Sequence, residues 1–111
     1  MNTNQRKYLY DIHNCILEIE EFLGKKRNFI AYQKNKLLKS AVERQLIIIG
    51  EAMNRLLAID SQINISSAKT IIQFRNKITH EYDAIDDPTV WNVVVNHLPI
   101  LKTEVEILLE S

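Results

Sequence analysis

The stretch KLLKSAVERQLIIIGEAMNRLLAI, residues 36–59, decides the fold of this chain. Side chains of its dominant stripe recur at steps of three and four, the spacing that gathers them onto one face of an α-helix. That face comprises Leu38, Val42, Gln45, Ile49, Ala52 and Leu56, and Leu37, Leu46, Met53 and Leu57 widen it. The run over 46–49 is apolar on all sides, which indicates burial against several neighbours or a contact between subunits. We therefore predict a central core helix over residues 36–59.

The same periodicity predicts long helices on both sides of the central one. A first helix is expected over residues 4–23, with a face formed by Tyr8, Ile12, Cys15, Ile19 and Phe22. Gly24 follows it and predicts a left-handed end, because glycine has no Cβ to oppose a positive φ. A short loop or helical turn then leads into the central helix. Turn-forming residues over 60–66 predict that a third long helix begins near Ser66 or Ser67.

The last helix has its own start signal and a predicted irregularity. Asp87 as the cap and Pro88 in the first turn predict where it begins. Its seam is formed by Trp91, Val94, Leu98, Leu101, Val105 and Leu108. Pro99 lies inside this helix and removes one backbone donor, so we expect a kink over residues 95–98.

The composition agrees with a single all-α domain. A chain of 111 residues makes one ordinary domain, so residues 1–111 are expected to fold as one unit. Only two Gly and two Pro accompany 46% hydrophobic residues, which favours helices over a turn-rich β-sandwich or a disordered chain. Neither a signal peptide nor a membrane-spanning run is recognisable, and the lone Cys15 is expected to be a buried thiol. We therefore expect a cytoplasmic protein.

Charge is balanced overall but unevenly distributed along the chain. Fourteen basic and fourteen acidic side chains give a formal net charge of zero, so the total charge predicts no attraction to nucleic acid. Residues 25–44 carry seven basic side chains and one acidic side chain, whereas the chain from residue 81 onward carries seven acidic and one basic. These two segments either steer charged partners or form solvated helix faces, and both interpretations stay open.

The candidate site is the run Arg75, Asn76, Lys77, Ile78, Thr79, His80, Glu81 and Tyr82. Arginine stays charged at cellular pH and histidine exchanges protons near neutrality, so the pair suits phosphate chemistry without a metal. Arg75 and His80 are five residues apart, which separates them by about 140° around an ideal helix. A shared site therefore needs unwinding near Thr79 or a second subunit across a two-fold axis. We favour the second subunit, with some unwinding.

At these residues the chain resembles the HEPN superfamily and, within it, the HepT-like toxins. The signature of those toxins, Arg-x4-His-x-Tyr, is matched by Arg75, His80 and Tyr82. Further matches are Gly50-Glu51-Ala52, Arg75-Asn76 and Leu98-Pro99-Ile100-Leu101. A Trp that many relatives carry before the third helix is absent here, where the chain has Asn64, Ile65 and Ser66. The resemblance implies an antiparallel helical bundle of four long helices plus a short one, homodimeric, with the Arg-His segments at a cleft between subunits.

The resemblance also implies an activity and a partner. HepT-like toxins are metal-independent endoribonucleases, usually neutralised by a nucleotidyltransferase-fold (MNT) antitoxin that can transfer AMP to the motif tyrosine, here Tyr82. Our hypothesis is that His80 acts as general base or acid, Arg75 stabilises the phosphorane, and Asn76 supports either the phosphate or the His80 ring. An RNA-tracking surface is assigned to Lys25, Lys26, Arg27, Lys34 and Lys36. No cofactor is expected.

Less specific interpretations compete with this one. Arg75 could form a structural pair with Glu81 or Asp83, and His80 could satisfy carbonyl groups at a helix end. A metal site from His80, Asp83 and Asp87 matches no known ligand spacing, so no metal is expected. The alternative function is a non-catalytic helical dimer that serves as a binding module for a nucleotidyltransferase partner. A nucleotide-binding regulator without nuclease activity is a third reading.

Overall fold

The computed structural model describes residues 1–80 and 85–110, and every regular element in those two ranges is helical. The elements are α1 (Thr3–Leu23), α2 (Phe29–Lys34), α3 (Lys36–Ile59), α4 (Ala68–His80), α5 (Asp87–Asn92), a π-helical turn (Val93–His97) and α6 (Leu98–Glu110). The all-α class is confirmed, as are the four long helices plus a short one, with α5, the π turn and α6 forming the last long helix. Among the described helices, none combines the length and the apolarity needed to cross a bilayer.

Side-chain caps explain where several helices begin. Asn2 caps α1 in a capping box, in which Asn2 Oδ1 accepts from the Gln5 amide and Gln5 Oε1 accepts from the Asn2 amide. Asn35 caps α3 by accepting from the amide of Leu38, and α3 has the predicted bounds. Gly24 ends α1 as predicted with a positive φ of 71°, but its ψ of −169° is extended and not left-handed helical.

The central helix α3 packs against both α1 and α4, and α6 packs against α1. The α1–α6 pair runs antiparallel, because Arg6 donates to the Leu109 carbonyl, His13 contacts Glu106 and Lys102 contacts Glu20. Largest among the fully buried side chains are Tyr32, Leu9, Ile12, Ile16, Ile19, Ile49, Met53, Leu56 and Leu101. Cys15 is buried, as expected, and burial raises the pKa of its thiol to about 11.

The apolar run over 46–49 is only partly covered within the chain. Leu46 and Ile49 are buried, and Ile47 and Ile48 are partly buried against the same core. Burial against several neighbours therefore accounts for Leu46 and Ile49. A contact between subunits at Ile47 and Ile48 stays a prediction.

The start of the last helix differs from the prediction by one residue. Asp86, not Asp87, is the cap: Asp86 Oδ1 accepts from the amide of Thr89 at 2.8 Å. Asp87 is the first helical residue, with Pro88 beside it in the first turn, and its carboxylate pairs with Lys39 at 3.2 Å. The hydrogen bond from the cap to Thr89 lowers the pKa of the Asp86 carboxyl.

Around Pro99 the helix widens into a π turn. The Leu98 amide donates to the carbonyl of Val93, five residues back, and the π-helical segment spans Val93–His97. Proline lacks an amide proton and its ring crowds the carbonyl four residues earlier, which is Val95. A π turn accommodates this loss of a hydrogen bond while the helix continues into α6. The predicted irregularity thus takes the form of a local change in hydrogen bonding.

Candidate active site

Helix α4 carries three of the predicted site residues, namely Arg75, Asn76 and His80. Its buried face is formed by Ala68, Ile71, Phe74 and Ile78, which holds the helix against α3. Arg75 follows directly after a buried residue and is half-buried, whereas Asn76 and His80 are exposed. Lys77 and His80 lie in the last turn, where a positive charge suits the negative end of the helix dipole.

The guanidinium of Arg75 is held from two sides. One terminal nitrogen, Nη1, donates to Oδ1 of Asn76 at 2.8 Å, and the other, Nη2, contacts Oε1 of Glu51 at 3.4 Å. The Nε atom is buried and has no hydrogen-bond partner among the described residues. The side chain remains 26% exposed, so part of the cation still reaches solvent. Its partner is thus Glu51 on α3, while Glu81 and Asp83 lie outside the described residues.

Helices α3 and α4 approach each other closely where Gly50 meets Arg75. A Cβ added to Gly50 would lie 2.5 Å from Cγ of Arg75 and closer still to its Cβ. Real Cβ atoms do not make such contacts, so any larger residue at this position must displace α4. The buried glycine therefore leaves the space that the stem of Arg75 occupies.

His80 is the last residue of α4 and is exposed. The helix continues without interruption to His80, so the partial unwinding expected near Thr79 is wrong. The hydroxyl of Thr79 instead donates to the carbonyls of Arg75 and Asn76, as serine and threonine commonly do inside helices. With an intact helix, Arg75 and His80 stay about 140° apart around the axis. Completion of the site by a second subunit stays a prediction.

Asn76 has a contact that the sequence did not predict. The four-residue spacing suggested a contact with the His80 ring, but its side-chain oxygen accepts from Arg75, while donation to a phosphate oxygen stays a prediction. The amide thus orients the guanidinium of the preceding residue. Spacing rules did not indicate this, because adjacent helical residues do not usually face each other.

Tyr82, the predicted site of AMP transfer, lies outside the described residues. Of the metal group that the sequence analysis considered and set aside, Asp83 is also outside the described residues and Asp87 pairs with Lys39. Across residues 1–80 and 85–110 there is no group of three or more His, Cys, Asp or Glu side chains arranged to hold a metal ion.

The predicted RNA-tracking residues Lys25, Lys26, Arg27, Lys34 and Lys36 are all exposed and lie between the end of α1 and the start of α3. Helix α4 meets the middle of α3, where Gly50 and Glu51 contact Arg75, and His80 is five residues further along α4. The assignment of these cations to an RNA path stays a prediction. Arg27 donates to the carbonyl of Gly24, which fixes one of these cations to the helix end.

Two residues of the site, Gly50 and Glu51, received no role from the sequence. Both belong to the central helix and meet Arg75, which is 24 residues after Glu51 in the sequence. A glycine inside an otherwise strong helix is a signal of close packing, because glycine weakens helices by about 1 kcal/mol relative to alanine. That signal was present at Gly50, but the sequence could not show which helix approaches it.

Comparisons with known proteins identify relatives of this chain. A family described as "Ribonuclease HepT-like" matches residues 12–108. A Methanocaldococcus jannaschii protein named "Putative RNase MJ1380" is 33% identical over 105 residues, covering 93% of this chain and 94% of the relative. A Thermococcus cleftensis protein named "Probable ribonuclease HepT" is 30% identical and covers 96% of each chain. No solved structure matches the chain. The match over nearly its whole length, together with the helical bundle, shows that the chain belongs to the HepT-like ribonuclease family, of the HEPN type.

Proposed function

We propose that this protein is a metal-independent endoribonuclease toxin that acts as a cytoplasmic homodimer and is neutralised by a nucleotidyltransferase antitoxin. The observation that carries the proposal is the environment of the Arg75 guanidinium. This permanently charged group is oriented by Asn76 and Glu51, and the side chain is still partly exposed to solvent. An exposed His80 ends the same helix. Family membership and relatives named as ribonucleases make RNA the fitting substrate.

The chemistry follows from the two side chains. His80 removes the proton from a ribose 2′-hydroxyl, whose oxygen then bonds to the adjacent phosphorus. The bond from phosphorus to the 5′-oxygen breaks, and a protonated His80 supplies the proton to that leaving oxygen. The products are a 2′,3′-cyclic phosphate and a 5′-hydroxyl. Arg75 stabilises the negative charge that collects on the phosphorane oxygens.

A dimer is proposed because one chain does not bring these groups onto one face. Arg75 and His80 are about 140° apart on an uninterrupted helix, which separates them within a single protomer. A two-fold axis beside α4 would place the His80 of one chain near the Arg75 of its partner. The cleft between subunits would then hold the scissile phosphate.

Tyr82 is the proposed site of control. Transfer of AMP from ATP to its hydroxyl would place a bulky, negatively charged group two residues from His80, and pyrophosphate would leave. The negative charge would repel the RNA backbone from the cleft. The exposed cations Lys25, Lys26 and Lys34, together with Arg27 and Lys36, are the proposed path of that backbone.

The test is cleavage of total tRNA and mRNA by purified protein in the presence of EDTA. We expect Arg75→Ala and His80→Ala each to reduce the cleavage rate by at least about 100-fold without loss of helical content. Lys69→Ala is the matched control, since it removes an exposed cation at the opposite end of α4 and should cleave as wild type does. Retained cleavage in either site variant contradicts the assignment. A folded protein that binds a nucleotidyltransferase but cuts no RNA supports the binding-module alternative.

A further inference from the structure

We infer that Gly50 and Glu51 are positioning residues for RNA cleavage, because they set the place and the orientation of the Arg75 guanidinium. The inference rests on the proposed function, in which Arg75 contacts the phosphate. Gly50 and Glu51 are neighbours on the central helix α3, and both meet Arg75 where α3 and α4 approach each other.

Gly50 sets where the guanidinium can be. The stem of Arg75 runs across the face of α3 at a point where the absence of a side chain lets it lie against the backbone. The direction of the stem is therefore fixed by the packing of two long helices. A cation held in this way loses less conformational entropy when it reaches the reactive position. This smaller entropy loss lowers the barrier to the reaction.

Glu51 sets how the guanidinium is turned. It contacts Nη2 while Asn76 accepts from Nη1, so the planar group is restrained at both terminal nitrogens. One proton on each terminal nitrogen has no partner among the described residues, whereas Nε is buried. The two terminal nitrogens are a pair of donors that an arginine can use for two-point contact with phosphate oxygens.

A carboxylate beside the cation also has an opposing effect. Glu51 is 46% exposed and negatively charged, so it weakens the attraction between Arg75 and the RNA backbone in the ground state. Its benefit to catalysis must come from orientation, which matters when charge develops on the phosphorane. Loss of the contact should thus lower kcat while KM stays unchanged or falls. Loss of the fold would not give that combination.

Two conservative variants of Glu51 separate the effect of its side-chain length from the effect of its charge. Glu51→Gln keeps the length of the side chain and the accepting oxygen but removes the charge. Glu51→Asp keeps the charge but is one methylene shorter, so from its place on α3 it loses the contact that Glu51 makes at 3.4 Å. With total tRNA as the substrate and EDTA present, we expect Glu51→Ala and Glu51→Asp to lower kcat by about 10- to 100-fold. Glu51→Gln should stay within about threefold of wild type, because one hydrogen bond to the fork is retained.

The controls make the two proposals distinguishable. Glu18→Ala removes an exposed carboxylate from α1 and should leave both kinetic constants unchanged. Arg75→Ala is measured beside it: if that variant still cleaves, or wild type cleaves no RNA, the proposed function itself fails. If Arg75→Ala is inactive but all three Glu51 variants match wild type, only the positioning role is overturned. The positioning role is also overturned if Glu51→Gln is impaired while Glu51→Asp cleaves as wild type does. In that case Glu51 would contribute through its charge and not through the orientation of Arg75.

Discussion

At the scale of single residues, the two proposed catalytic groups are held in different ways. Arg75 is confined by Gly50, Glu51 and Asn76, and only about a quarter of its side chain is exposed. His80 is the last residue of α4, and its side chain is exposed. An oriented cation and an accessible imidazole suit their roles, since charge stabilisation needs fixed geometry and acid-base catalysis needs proton exchange.

The carboxyl group of Glu43 on α3 gives a prediction at the scale of a single residue. Burial, and then the nearby Asp87 carboxylate, raise the pKa of Glu43 above its usual value, although Lys39 acts in the opposite direction. A carboxyl with a raised folded-state pKa favours folding when protonated and opposes it when charged. We therefore expect Glu43→Gln to raise Tm at pH 7. The difference from wild type should vanish below about pH 4, where Glu43 is neutral in both states.

Thermal unfolding followed by circular dichroism at pH 7 and at low pH checks this prediction. Glu18→Gln, an exposed carboxylate on α1, is the control and should change Tm little at either pH. A lower Tm for Glu43→Gln at pH 7 would show that its charge stabilises the fold, against the expectation.

The residue-scale comparison with sequence shows what a motif can identify. The spacing of Arg75, His80 and Tyr82 was sufficient to select the candidate site, because these residues are close in sequence. The contact between Glu51 and Arg75 was not predictable from spacing, since it joins two helices whose register depends on packing. The cap of the last helix was misplaced by one residue because Asp86 and Asp87 are equally suitable acids before Pro88.

At the scale of helices, the site depends on the distance between α3 and α4. The two helices touch through the stem of Arg75 and the backbone at Gly50, with no side chain between them at that point. This element pair therefore links the stability of the fold to the geometry of the cation. Replacement of the glycine should affect both.

Gly50→Ala tests that link. Alanine favours helix formation over glycine by about 1 kcal/mol, but overpacking a close contact costs about 1 to 3 kcal/mol or more. Because the added Cβ would lie within 2.5 Å of the stem of Arg75, we expect net destabilisation of about 1 to 2 kcal/mol. Urea unfolding measures it. Ser40→Ala, on the exposed face of α3, is the control and should be near neutral. A more stable Gly50→Ala protein would contradict the close approach.

Helix existence and order were predictable to a larger extent than helix irregularities. The bounds of α3 follow from its apolar stripe, and Pro99 correctly indicated a disturbance in the last helix. Whether that disturbance becomes a kink or a π turn depends on how the surrounding helices hold the chain. Local sequence contains no information about that choice.

At the scale of the whole molecule, charge is used differently at the two segments identified from the sequence. Part of the acidic segment is engaged in contacts within the chain, because Glu106 contacts His13 and Glu104 accepts from Ser66. The basic residues Lys25, Lys26 and Lys34 are exposed between the end of α1 and the start of α3. This arrangement favours a structural interpretation for part of the acidic segment and is compatible with an RNA path over the basic one.

The central claim is that an active site needs Arg75 from one protomer and His80 from another. Its most direct test is cleavage of total tRNA, with EDTA present, by co-expressed Arg75→Ala and His80→Ala chains. Each variant alone should be inactive, whereas mixed dimers keep one intact Arg75 and one intact His80 at the shared cleft. We predict that the mixture cleaves at least about tenfold faster than either variant alone. A mixture as inactive as its components, with mixed dimers verified by two affinity tags, would contradict the account.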